Sequence, residues 1–141
     1  MRFSILALAA AAAAPTALAC TPTFWLTHDA ALGAGNGVTC NIRIYESSNP
    51  DFGNHKPEAA KNVACSGGCN KLDFKGETYE FCFDGVLSNS LKGKATVQRT
   101  SNGGGGKRNI FPEGQSERKV FSAYLGSSDI HRYWISNVSC P

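Results

Sequence analysis

Charge is scarce in this chain. Only 18% of its 141 residues are charged, against roughly a quarter in an ordinary soluble domain, so Ser, Thr, Asn and Gly must supply much of the surface. Histidine occurs only as His28, His55 and His131, and no two stand at ligand spacing, which leaves a histidine-paired metal site without support. His28 and Asp29 are adjacent, but neighbours on a strand point to opposite faces and would need a loop to cooperate. No Gly-x-Ser-x-Gly elbow, His-Glu-x-x-His motif or Walker loop occurs, and the run Gly103 to Gly106 lacks the strand–loop–helix setting that cradles phosphate. No apolar run approaches the roughly 20 residues of a membrane-spanning helix. These absences favour a binding protein over an enzyme, and no cofactor or metal is expected.

The N-terminus carries an export pattern. Arg2 is followed by an apolar run from Phe3 to Ala14 broken only by Ser4, then by Pro15 and the small-residue triplet Ala17-Leu18-Ala19. Residues 1–19 therefore read as a signal peptide and residues 20–141 as a single domain, destined for secretion to the extracellular space. A lipid anchor on Cys20 is the competing reading, but Ala17 and Leu18 stand in the reverse of the usual order and lipidation would leave an odd number of thiols.

Six cysteines, Cys20, Cys40, Cys65, Cys69, Cys82 and Cys140, make three disulfides in an oxidising compartment, and about fifteen pairings are open. Ser66-Gly67-Gly68 can bend tightly and favours Cys65 with Cys69; the ends would then be stapled by Cys20 with Cys140, leaving Cys40 with Cys82. Zinc at Cys65 and Cys69 would lack a second ligand pair.

Hydrophobic alternation dominates the rest. Val38 to Tyr45 sets Val38, Cys40, Ile42 and Ile44 against Thr39, Asn41, Arg43 and Tyr45, and Thr78 to Phe83 places Tyr79, Phe81 and Phe83 on one face. Phe24 to Thr27, Ala95 to Thr100, Val120 to Leu125 and Ile130 to Val138 read as further strands, while Pro57 to Ala64 is the one short helix candidate, with Pro57 and Glu58 suiting a first turn. The expected fold is mainly β: a small disulfide-stabilised sandwich or barrel with at most one short helix.

Candidate sites follow from these faces. Tyr45, Tyr133 and Ile135 fall opposite the expected core, so an exposed patch beside Arg43 and Arg132 is the candidate binding surface, tested by Tyr133. Glu46 to Asp84 holds seven acids and four bases, Lys92 to Lys119 seven bases and two acids; the plain reading is solvated surface, the functional one an anionic partner. Losing Arg2 with the leader lowers the net charge from +3 to +2, which argues against nucleic acid. Glu80, Arg99 and His131 supply the base, phosphate ligand and acid of a small extracellular ribonuclease, should they converge, and Glu77 with Glu80 or Asp84 could be drawn as a glycosidase pair. Lys107-Arg108, after the glycine run, is a candidate convertase site on an exposed loop, and Asn137-Val138-Ser139 is the sole N-glycosylation sequon.

With its Ala-rich leader, six cysteines, β pattern and Lys107-Arg108 pair, the chain resembles the small cysteine-rich secreted proteins of filamentous fungi, many of them effectors. The β-barrel Alt a 1-like allergens share the leader, disulfides and β content, and the killer-toxin-like proteins share the dibasic pair; neither matches residue by residue. The resemblance implies an effector-like or toxin-like virulence role, exercised by binding a surface protein or glycan of a host or competitor.

Overall fold

The computed structural model describes residues 18–33, 35–101 and 104–141. The leader up to Ala17 lies outside the described residues, as do Ala34, Asn102 and Gly103 of the glycine run. The described residues form strands joined by loops, with no helix: β1 (Ala19–Ala31), β2 (Gly35–Tyr45), β3 (Ala59–Val63), β4 (Gly68–Phe74), β5 (Glu77–Phe83), β6 (Val86–Leu87), β7 (Ser90–Leu91), β8 (Ala95–Arg99), β9 (Arg108–Phe111), β10 (Gln115–Ala123), β11 (Gly126–Trp134) and β12 (Val138–Ser139).

All pairings are antiparallel. One sheet runs β10-β11-β1-β2-β3, with β12 paired to the start of β1; a second runs β4-β5-β8-β9; β6 and β7 form a small ribbon. Neither sheet closes on itself, so the fold is not a barrel. Period-two alternation sends Phe24 and Leu26 of β1 and Cys40, Ile42 and Ile44 of β2 into one core with Tyr79, Phe81 and Phe83 of β5 and Val97 of β8. Phe24 meets Phe83 across the sheets at 4.5 Å between ring centroids.

Three local readings are corrected. Pro57 to Ala64 is not helical: a helix of two turns is marginal in water, whereas Ala59–Val63 pairs along one side as edge strand β3 against Cys40–Ile44. The strand read over Val120 to Leu125 begins earlier and ends at Ala123, with Tyr124 and Leu125 forming the turn into β11. The strand read over Ile130 to Val138 breaks after Trp134, and Asn137 turns the chain with φ 61° before β12, a conformation Asn adopts more readily than most side chains.

The disulfides are Cys20–Cys140, Cys40–Cys65 and Cys69–Cys82. The terminal staple is as expected; the other two pairs are corrected. Cys69 and Cys82 are direct cross-strand partners of β4 and β5, while Val63 opposite Cys40 brings Cys65 within reach of β2. Ser66-Gly67-Gly68 does not close a small ring: it carries the chain from one sheet to the other, with φ 102° at Gly67 and 112° at Gly68. A Cβ on Gly67 would lie 2.8 Å from the backbone of Asp84 and Gly85, so that crossing demands glycine.

The connection from β2 to β3 folds over the outer face of the first sheet. Asp51 anchors it, accepting from Gly53 N at 2.9 Å and Asn54 Nδ2 at 2.7 Å, and Phe52 wedges its ring against Trp134 at 4.9 Å, Tyr45 at 5.2 Å and Trp25 at 5.9 Å. Thr21 Oγ1 donates to Ser47 O at 2.6 Å, tying the loop to β1.

Loop-closure entropy ranks the covalent ties. Cys20–Cys140 spans 120 residues and Cys69–Cys82 only 13, which corresponds to about 4.7 against about 3 kcal/mol. Thermal unfolding of the paired serine variants is expected to show a larger fall in Tm for Cys20→Ser with Cys140→Ser than for Cys69→Ser with Cys82→Ser; the reverse order would refute this ranking.

Candidate functional site

The sequence-derived patch is not a surface. Tyr45 is fully buried under the Phe52 loop, and Tyr133 faces the core, where its ring lies 5.2 Å from Phe111 and burial raises its phenol pKa. Arg132 is buried too, with its Nη1 2.8 Å from Glu117 Oε2, and Ile135 is half-buried against the core. Arg43 is half-buried: its guanidinium carbon stands 3.7 Å from the Trp25 ring centroid, that of Arg132 stands 4.3 Å away, and Arg43 Nε donates to Asn41 at 2.7 Å. For Tyr45 and Arg132 the alternation holds, but Phe52 covers the face opposite the core; for Tyr133 and Ile135 the expected faces are reversed, since both pack on the core while Trp134 lies outside against Phe52. A Phe flanked by Pro, Asp and Gly in the Ser47–Pro57 connection is the one signal in the sequence for that covering loop.

The nuclease set does not assemble. Arg99 is the cross-strand partner of Tyr79 and lies on the inner face of the second sheet, whereas Glu80 alternates to the outer face beside the Cys69–Cys82 bridge. His131 belongs to the other sheet, its Nε2 3.1 Å from Asp129 Oδ1. Of the glycosidase candidates, Glu77 lies 3.9 Å from Arg99 and accepts from Ser101, while Asp84 accepts from Lys94 N at 2.9 Å in a turn. Cys65 and Cys69 hold no free thiolate for zinc, since both are in disulfides. Lys107 is exposed in a loop, but Arg108 already opens β9 opposite Val97, and Asn137 is exposed in the turn before β12.

Asp129 is the hub of the inner polar end of the first sheet. Arg118 grips it with two bonds, Nε to Oδ1 at 2.9 Å and Nη2 to Oδ2 at 2.7 Å, and Asn89 donates to it at 3.0 Å. The Arg118 hydrogen bonds, before any other cause, hold its carboxyl far below the usual carboxylate range. The network pins the β6–β7 ribbon to β11, a structural job.

Beyond it the first sheet projects past the sandwich and ends in two hairpin tips side by side, joined by Leu32 N donating to Leu125 O at 3.1 Å. Leu32 is 76% exposed, Leu125 68% and Tyr124 95%, with Phe121, Val120 and Val38 also open to solvent. The sequence stretches 30–38 and 120–128 contain no Asp, Glu, Lys, Arg or His. Ala123 pairs with Gly126, so Tyr124 and Leu125 fill a two-residue turn, a place where Asn-Gly or Asp-Gly is the favoured chemistry. Apolar side chains in that position serve neither the turn nor the core. No family model, curated protein or solved structure matches this chain.

The Asp129 linkage has a definite sign. A carboxyl depressed in the folded state contributes stability that is complete above its unfolded pKa of about 3.9 and is lost as pH falls below it. Acid titration of the folded protein is expected to show Asp129→Asn less stable than the parent at pH 7 and the gap narrowing below pH 4; a pH-independent gap would contradict the network.

Proposed function

We propose that this protein is exported, disulfide-bonded and active outside the cell by binding, and that the paired hairpin tips are its contact surface. The observation that carries this reading is the uncharged apolar tip itself: Leu32, Tyr124 and Leu125 stand in solvent at the end of an antiparallel sheet whose backbone is paired. A rule of local turn chemistry broken at an exposed site points to selection for something other than folding. Tyr and Leu bring large contact area at small entropic cost, the composition of interface anchors. The leader and three disulfides support the extracellular setting. An effector-like or toxin-like role against a host or competitor accords with such a surface, its target being a surface protein or glycan. Among the described residues no helix is long and apolar enough to cross a membrane. The small-hydrolase alternative draws no support from Glu80 and Arg99, which lie on opposite faces of their sheet.

Fluorescently labelled protein is expected to bind saturably to at least one of a panel of intact plant, animal, fungal and bacterial cells. The triple variant Leu32→Ser, Tyr124→Ser, Leu125→Ser should lose that binding at least tenfold while its stability stays within about 0.5 kcal/mol of the parent, as for exposed positions generally. Undiminished binding by the variant, or none by the parent to any cell, would refute the assignment.

A further inference from the structure

A second site lies near the other end of β1. A cavity of about 150 Å³ opens between β5, β8, β9 and β12. Its floor is apolar, made by the fully buried Tyr79 ring with Val97 and Val138. Two arginines share that inner face by register, Arg99 opposite Tyr79 and Arg108 opposite Val97. Gln98, Ser139 and the segment Gly105–Gly106 complete the lining. The Gly105 and Gly106 N–H groups form no hydrogen bond among the described residues. The segment reaches this position because Gly104 has no side chain: a Cβ there would fall 1.7 Å from Arg99 O.

The charges define the sign and number of the occupant's ionised groups. Arg99 Nε stands 3.9 Å from Glu77 Oε2, so its charge is largely balanced. Arg108 has no ion-pair partner among the described residues. One net positive charge suits a single negative charge, and a planar guanidinium matches a carboxylate with two parallel bonds. The apolar floor takes an uncharged body, and a cavity of about this volume is known to admit a benzene ring.

We infer that this cavity is a binding site for a small monocarboxylate with a compact apolar body, aromatic or short aliphatic, its carboxylate held by Arg108 and Arg99 and the Gly105–Gly106 backbone. The cavity stands or falls independently of the tips. β1 begins beside it, where Ala19 pairs with Ser139, and reaches them only after 13 residues, roughly 40 Å at the strand rise per residue.

Benzoate, hexanoate, benzyl alcohol and inorganic phosphate are the probes, titrated into the purified secreted protein by calorimetry and by amide NMR. Both carboxylates should bind saturably and move the Gly105 and Gly106 amide resonances, with benzyl alcohol at least tenfold weaker. Arg108→Gln should weaken benzoate about tenfold or more, the loss of one charge-assisted contact, without moving Tm. Val138→Phe, which fills the floor, should remove benzoate binding while leaving the unfolding transition cooperative. Four results would overturn the assignment: no saturable benzoate binding, equal binding of benzyl alcohol, phosphate binding as tight as benzoate, or an unaltered Arg108→Gln affinity. Should Val138→Phe fail to fold, Arg108→Gln and the benzyl alcohol comparison still decide.

Discussion

The structure depends on how unevenly β1 is covered. From Cys20 to Leu26 both faces of this central strand are buried; beyond Thr27 neither is sealed. Inward, Phe24 packs on Phe83 of the second sheet; outward, Trp25 lies beneath Phe52 of the β2–β3 connection and beside two guanidiniums. Burying a large aromatic on each face at consecutive positions concentrates dispersion and desolvation in this short stretch. The rest of the strand is held by its ladder to β2 and β11, with the Asp29 carboxylate accepting from Ser128 Oγ. A sheet that is thick at one end and a single layer at the other presents its free end to solvent.

The covalent ties follow the same division. Cys20–Cys140 closes the chain ends at the buried start of β1, Cys40–Cys65 holds the edge strand region, and Cys69–Cys82 stitches the outer face of the second sheet. None reaches the projecting tips. Disulfides stabilise by restricting the unfolded chain, so their position does not stiffen a hairpin that lies outside the loops they close at close range. The tips instead rely on backbone pairing that is complete up to Ala31 opposite Gly126 and Ala123 opposite Gly126. Apolar side chains at their ends therefore follow directly on paired backbone.

Much of this fold was legible in the residues, and the failures have physical causes. Alternation over Val38–Tyr45 and Thr78–Phe83 located β2 and β5 because a period of two is a local property of a strand. Which side of β2 meets solvent was not local: Tyr45 and Arg132 are hidden by Phe52, which arrives from a connection with no periodicity of its own. The pairing of Cys69 with Cys82 depends on register, which sequence spacing does not state. Short Pro57 to Ala64 carried helix-start chemistry, yet an isolated helix of two turns is marginal and the edge of β2 offered a ladder already in place. The tips were misread for an instructive reason: Val120-Phe121 and Tyr124-Leu125 have the composition of a strand, and nothing in that composition says that the chain reverses there.

Placing the tips and the Arg108 cavity at opposite ends of one strand also constrains how they can communicate. Coupling requires an element with two arrangements that the two ligands favour differently. Between Ala19 and Ala31 the chain offers a continuous antiparallel ladder, with β2 paired in unbroken register from Thr21 opposite Tyr45 to Ala31 opposite Gly35. A one-residue slip would turn Phe24 and Leu26 out of the core and Trp25 in, which the packing on both faces forbids. A register slip of β1 is thus not available as the element that would couple the cavity to Tyr124 and Leu125.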